Sequence, residues 1–236
     1  MLSAQPTVPT PAILTLKALV IDLDGTLLDT APGLTDALNK ALAEVGRSPL
    51  TLAAVKPMIG DGVDTLIERA MTATGGALSP IVFTETVERY RALMRDIPTP
   101  PAFAGARAAL GQFNEWGIKL AVCTNKPEAA ARDVLDRTQL IHFLDIVVGA
   151  DAAPLKPDPA MVNQALDALG VDACATALIG DSEVDVATAH AAHLPVVLMA
   201  HGYVRGTLDN AGADAVADNF AALPDALRRI GFQISS

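Results

Sequence analysis

Apolar residues in this chain follow two rhythms, and the points where one gives way to the other divide it. Leu19-Val20-Ile21 and their neighbours barely alternate with polar residues, the pattern of a strand buried on both faces, and the run stops at Asp22-Leu23-Asp24-Gly25-Thr26. From Pro32 the spacing becomes helical: Leu34, Ala37, Leu38, Ala41, Leu42 and Val45 recur until Gly46. Further helical stretches follow over about 52–58, 62–74 and 80–95, with no strand pattern between them. From Gly105 onward strands and helices alternate. Helices are predicted over 106–116, 128–137, up to Leu169, up to about Ala192 and over 220–230, and strands over 118–123, 143–148, 175–179, 195–199 and 213–217. Strict alternation implies an α/β fold, a parallel sheet with helices on both faces, and the uninterrupted helices imply an inserted all-α unit. The expected organisation is a tail over 1–16, a core from 17–29 and 99–236, and a helical insertion over 30–98, hinged near Thr30 and Pro98-Thr99-Pro100-Pro101.

Composition narrows the partners. The 236 residues are 51% apolar but only 4% aromatic, so the core is aliphatic, and they can form one large domain or two modest ones. A net charge of −10 argues against nucleic acid or an anionic membrane as partner. An acidic protein that takes a phosphorylated ligand must hold it locally, through a metal, backbone N–H groups and a few placed cations. Cys123 and Cys174 lack metal or framework spacing, so neither a disulfide scaffold nor a zinc site is expected, and a reducing cytoplasm is the expected compartment. His142, His190, His193 and His201 show no ligand spacing and read as surface or packing residues. The first fifteen residues contain Pro6, Pro9 and Pro11 without a basic and apolar leader, so a flexible tail rather than a signal peptide is expected. No apolar run approaches the ~20 residues that span a bilayer.

The polar clusters carry the chemistry. Each follows an apolar strand or the loop after it: Asp22 and Asp24, Thr124 and Asn125, Lys156, and Asp181 with Asp185. Any one alone has an ordinary reading as a strand-end cap, a helix cap or a solvated lysine. Together they are candidates for one site, because open parallel sheets bind ligands at the carboxyl ends of their strands. Carboxylates held that close raise each other's pKa unless a cation intervenes, and Mg2+ suits oxygen donors. The set fits phosphoryl transfer: one carboxylate attacks phosphorus, a second serves as acid and base, and a metal and a lysine neutralise charge. Thr124 and the Asn125 N–H can grip phosphate at a helix N-terminus, and Lys156 can supply a point charge.

The string Asp22-Leu23-Asp24-Gly25-Thr26-Leu27-Leu28-Asp29-Thr30, followed in order by Thr124-Asn125, Lys156-Pro157 and Gly180-Asp181 with Asp185, resembles the motifs of the haloacid dehalogenase superfamily across nearly the whole chain. The resemblance implies a Rossmann-like core with a helical cap. It makes Asp22 the nucleophile and Asp24 the general acid/base, with metal held by Asp22, the Asp24 carbonyl and Asp181. Asp185 would orient metal-bound water, and Thr124, Asn125 and Lys156 would bind phosphate. Ala31-Pro32 after the first motif and Thr124-Asn125-Lys126-Pro127 make the chain most similar to the phosphoglycolate phosphatase group, which implies Mg2+-dependent hydrolysis of 2-phosphoglycolate, a small phosphorylated metabolite, by a monomer or homodimer. Two positions depart from the pattern: Leu155, where many relatives carry a basic residue, and His193, where glycine is usual. Gly60-Asp61-Gly62 either joins two helices or forms a substrate-facing loop that selects the leaving group, with the Asp61 side chain turned away. Asp24 and Asp181 oppose a metal-free dehalogenase, and Thr26 favours a hydrolase over a phosphosugar mutase. Pyrophosphate, sugar-phosphate and amino-sugar-phosphate phosphatases share every motif, and a non-catalytic phosphometabolite-binding protein is the alternative from another class.

Overall fold

Strand β2 (Ala18–Ile21) shows why the unbroken apolar run is needed: Leu19 and Ile21 enter the core on one face of the sheet, Ala18 and Val20 the core on the other. In the computed structural model, which describes residues 14–77 and 79–234, β2 lies inside a six-stranded sheet. The other five strands are β3 (Lys119–Cys123), β4 (Ile146–Val148), β5 (Thr176–Gly180), β6 (Val196–Met199) and β7 (Ala215–Ala217). The order is β4-β3-β2-β5-β6-β7 and every pairing is parallel, with Val20 opposite Ala121 on one side and Leu178 on the other. The chain builds outward from β2 in one direction and then from β5 in the other, so the strand order reverses between these two. That reversal opens a crevice beyond the carboxyl ends of β2, β3 and β5.

Helices α5 (Ala106–Glu115), α6 (Glu128–Arg137) and α9 (Leu223–Arg229) cover one face, and α7 (Ala160–Leu169) and α8 (Glu183–Ala191) the other. Between β2 and β3 stand α1 (Ala31–Glu44), α2 (Leu52–Val55), α3 (Val63–Ala73) and α4 (Pro80–Leu93). These helices bury a separate core of Leu38, Leu42, Ile67, Met71, Val87 and Tyr90, joined from the sheet side by Tyr203. The two chain crossings that connect this helical block run side by side: Asp29 N–H donates to Pro101 C=O and Phe103 N–H to Leu27 C=O, each at 3.0 Å.

The parallel α/β fold expected from the alternation is the fold observed. Differences lie at element ends. Of the stretch 143–148 only Ile146–Val148 is strand, because the Asp145 carboxylate takes the Leu120 N–H at 2.7 Å in place of a ladder carbonyl. Asp214 does the same to the Val196 N–H at 2.8 Å, so β7 begins at Ala215. The last helix opens with a 3-10 turn, Phe220–Ala222. His193, in place of the expected glycine, has φ +58°, the left-handed region in which glycine is unstrained. From the stretch read as a tail, β1 (Leu14–Thr15) pairs in parallel with β8 (Phe232–Gln233), and residues 1–13 lie outside those described. Both cysteines are unpaired. Among the described residues no helix is long and apolar enough to cross a membrane.

Candidate active site

Asp22 is the first residue past β2, and its N–H still pairs with Ile179 C=O at 2.9 Å, so its side chain leaves the sheet at a defined place. Gly25, with φ +93°, then turns the chain back in a conformation open to glycine, and a Cβ there would strike the Asp181 carboxylate. Asp181 follows β5, and Lys156 comes from the loop between β4 and α7. The Lys156 Nζ donates to Asp22 Oδ1 and Asp185 Oδ1, both at 2.7 Å. Asp185 Oδ2 accepts the N–H of Asp181 and of Ser182 at 3.1 Å and the Ser182 hydroxyl at 2.8 Å. Asp181 accepts the Thr26 hydroxyl at 2.8 Å and the Tyr203 N–H at 2.7 Å.

Asp22, Asp181 and Asp185 offer carboxylate oxygens within 4.8 Å of one another, all buried. Three carboxylates against one ammonium leave this centre short of positive charge. Burial pushes Asp22 up first; Lys156 pulls it down, Asp185 and Asp24 push it up again, and it ends at about 7. Asp181 is raised well above the carboxylate range by burial and then by Asp185 and Asp22, although the Tyr203 and Thr26 donors oppose this. Burial works against the Lys156 ammonium, but Asp185 and Asp22 outweigh it and hold the group protonated. Among the described residues Asp181 has neutral donors and no cation, so the set suits a divalent ion with a preference for oxygen ligands.

Beside this centre a cavity of about 530 Å3 opens between the sheet edge and the helical block. Asp22, Asp24, Thr124, Asn125, Gly60 and Gly62 line it. Asp24 stands apart from the three clustered carboxylates: Lys126 Nζ donates to its two oxygens at 3.1 and 3.0 Å. The Thr124 hydroxyl accepts the Lys126 N–H at 3.2 Å. The Asn125 side chain is committed to fastening loops, donating to Gly60 C=O at 2.8 Å and Lys156 C=O at 3.0 Å while accepting the Lys156 N–H at 2.8 Å. Gly62, at φ +89°, faces Leu155, so the residue that departs from the pattern packs beside this loop. Asp61 is turned to the guanidinium groups of Arg69 and Arg205, away from the cavity lining.

All the sequence-predicted residues thus gather at one sheet edge or in the loop above it. Four further contributors have weak or no sequence signals. Lys126 stands inside Thr124-Asn125-Lys126-Pro127 and can be found from its neighbours, and Ser182 opens the capping-box string Ser182-Glu183-Val184-Asp185, whereas Tyr203 and Arg205 carry no local pattern.

Fold and site define a Rossmann-like α/β protein whose acidic, lysine-anchored centre lies at the carboxyl edge of a parallel sheet. The sequence profile of the haloacid dehalogenase-like hydrolases matches residues 19–199, and the chain belongs to that family. Among its relatives is a phosphoglycolate phosphatase of Rhodospirillum rubrum, 48% identical over 216 residues, 89% of this chain and 90% of that one. A plasmid-borne phosphoglycolate phosphatase of Cupriavidus necator is 40% identical over 212 residues, covering 88% and 91%. A crystal structure from Haemophilus somnus, described as a predicted phosphoglycolate phosphatase, superimposes with a TM-score of 0.84 at 26% identity, over 89% of this chain and 97% of that one.

Proposed function

We propose that the protein hydrolyses 2-phosphoglycolate to glycolate and phosphate through an aspartyl-phosphate on Asp22. The observation that carries this reading is the buried Asp22–Lys156–Asp185 web with Asp181 beside it, in a chain 48% identical to a phosphoglycolate phosphatase over most of its length. A carboxylate of Asp22 attacks phosphorus, the P–O bond to glycolate breaks, and Asp24 gives its proton to the leaving alkoxide. Asp24, now a carboxylate, takes a proton from the water that attacks the aspartyl-phosphate, and Asp22 is released. Lys156 neutralises charge at Asp22 and at the transferring group. Thr124 and the Asn125 main-chain N–H hold phosphate oxygens while the Asn125 side chain keeps the loops in register. Mg2+ is the ion whose hard, oxygen-preferring chemistry this donor set suits. Asp22, Asp181 and the Asp24 carbonyl would hold it, with Asp185 orienting its water, and it would supply the remaining positive charge.

The helical block, residues 30–98, acts as the cap over a core of 17–29 and 99–236. Gly60 and Gly62 face the ligand, and closure excludes water. Phosphate release from 2-phosphoglycolate, measured with Mg2+ and with EDTA, tests the reading. Activity is expected only with the metal, and none from a folded Asp22→Asn variant. Turnover by that variant overturns the covalent route, and a slower rate on 2-phosphoglycolate than on sugar phosphates or pyrophosphate overturns the substrate.

A further inference from the structure

Lys126 has no task in the reaction as written, yet it occupies a telling place. Its side chain is only 12% exposed, lines the cavity, and donates to both oxygens of Asp24. Its backbone is pinned on both sides: the N–H by the Thr124 hydroxyl, the C=O by Ala150 N–H at 3.0 Å. Asn125, immediately before it, is tied to Gly60 and Lys156, and α6 begins two residues after it at Glu128. The lysine is therefore aimed along one direction, and its ammonium has three donors to share between Asp24 and whatever enters the cavity.

The general acid must come within hydrogen-bond reach of the ester oxygen that leaves. In 2-phosphoglycolate one methylene separates that oxygen from the carboxyl carbon. By ordinary bond lengths the carboxylate then lies about 3–4 Å from the ester oxygen. A substrate seated with its ester oxygen at Asp24 carries its carboxylate into the space beside Lys126.

We propose that Lys126 is a specificity-determining residue that binds the carboxylate of the substrate, so that the site selects phosphomonoesters bearing an acid group one carbon from the ester oxygen. This inference rests on the 2-phosphoglycolate reading. What singles Lys126 out is its place beside the acid/base. Lys156 is buried between Asp22 and Asp185, and the cavity-lining Arg91, Arg95 and Arg137 belong to the helical block and α6, with Arg91 and Arg137 paired to Asp64 and Asp133. Lys126 is the cation that touches Asp24 among the described residues. Without Lys126 the incoming carboxylate would meet Asp24 with no cation between them.

The test is a cycle that removes the carboxylate from the substrate and the ammonium from the enzyme. kcat/KM is measured with Mg2+ for 2-phosphoglycolate and for ethyl phosphate, on the unmodified protein, Lys126→Met and Lys126→Arg. Lys126→Met is expected to slow both substrates, because Lys126 also touches Asp24. The preference for 2-phosphoglycolate should fall by roughly 10–100-fold, the scale of a charge-assisted hydrogen bond, mostly in KM. Lys126→Arg should recover part of that preference. Calorimetry with two unreactive ligands, 3-phosphonopropionate and propylphosphonate, reads the same difference without turnover: their affinity gap should close in Lys126→Met. A preference and an affinity gap that survive in Lys126→Met overturn the assignment of Lys126. An unmodified protein with no preference for 2-phosphoglycolate over ethyl phosphate overturns the substrate reading itself, and the two failures are distinct.

Discussion

Asp22 accepts a hydrogen bond from Lys156 inside a buried web, whereas Asp24, two residues on, meets Lys126 at the wall of the cavity. Only Leu23 stands between them, yet the two carboxylates at this strand end have different cations and different surroundings. That separation is what a nucleophile and an acid/base require, since each must present a different charge at the same moment. Asp24→Asn is expected to lower kcat by ~10²–10⁴-fold while keeping the fold. Because Asp24 would give the metal only its main-chain carbonyl, Mg2+ affinity should fall less than in Asp181→Ala. Phosphate release and calorimetric titration of the two variants check this; an unchanged rate, or the opposite order of affinities, contradicts the roles.

The loop after β6 ties three parts of the molecule together. Tyr203 N–H holds Asp181, and the Tyr203 hydroxyl donates to Asp29 at 2.9 Å and accepts the Ala31 N–H at 3.0 Å, at the entrance to the helical block. Two residues on, Arg205 reaches Pro57 C=O, Ile59 C=O and Asp61 on the loop of that block. Glu183 fixes the same loop from below by accepting the N–H of Arg205 and Gly206. These contacts hold the Gly60–Gly62 loop against the sheet edge. Arg205→Ala is expected to raise KM for 2-phosphoglycolate about fivefold, equivalent to about 1 kcal/mol for a partly exposed ion pair. It should also speed proteolysis at the two chain crossings near Asp29 and Pro101. Combining it with Asp61→Ala should add less than the sum of the two single effects, since both remove the Arg205–Asp61 pair although Arg205 also holds the Pro57 and Ile59 carbonyls and Asp61 also meets Arg69; full additivity argues against the latch.

At the scale of the whole molecule, the cation-poor centre couples stability to pH and to metal. In the folded protein Asp22 keeps its proton up to about pH 7, against the ordinary carboxylate value of 3.8. Between those values the folded state binds more protons than the unfolded one, so this group makes metal-free protein less stable as pH rises from about 4 to about 7. A divalent ion binds the ionised carboxylates and reverses that trend. The rise in Tm produced by saturating Mg2+ should therefore be small at pH 5 and larger at pH 8, and EDTA should remove it. A metal-induced shift independent of pH would mean that Asp22 and Asp181 are not its ligands. The separate core of the helical block and the sheet cores provide two bodies, joined by the crossings at Asp29–Pro101 and Leu27–Phe103.

Periodicity and strand-end polarity are local properties, so they are legible in the order of the residues alone. The unalternating run ending at Asp22 marks a doubly covered strand, the 3.6-residue spacing from Leu34 to Val45 marks a helix, and both elements form where the pattern places them. Because parallel strands bring all their carboxyl ends to one edge, the order of the polar clusters also places Asp22, Thr124, Lys156 and Asp181 in one region. What closes in space is hidden. Lys126 meets Asp24 across 102 positions, Tyr203 meets Asp29 across 174, and Arg205 meets Asp61 across 144. No local pattern marks such a pair, because side-chain partners over these separations are chosen by how the sheet and the helical block pack. The sequence by itself therefore determined the main helices and strands, their layering and the edge at which chemistry could occur, but not the β1–β8 pair, whose two short strands carry no pattern of their own. Only the tertiary structure decided which cation stands beside which carboxylate, since charge pairing depends on distances set by packing far along the chain.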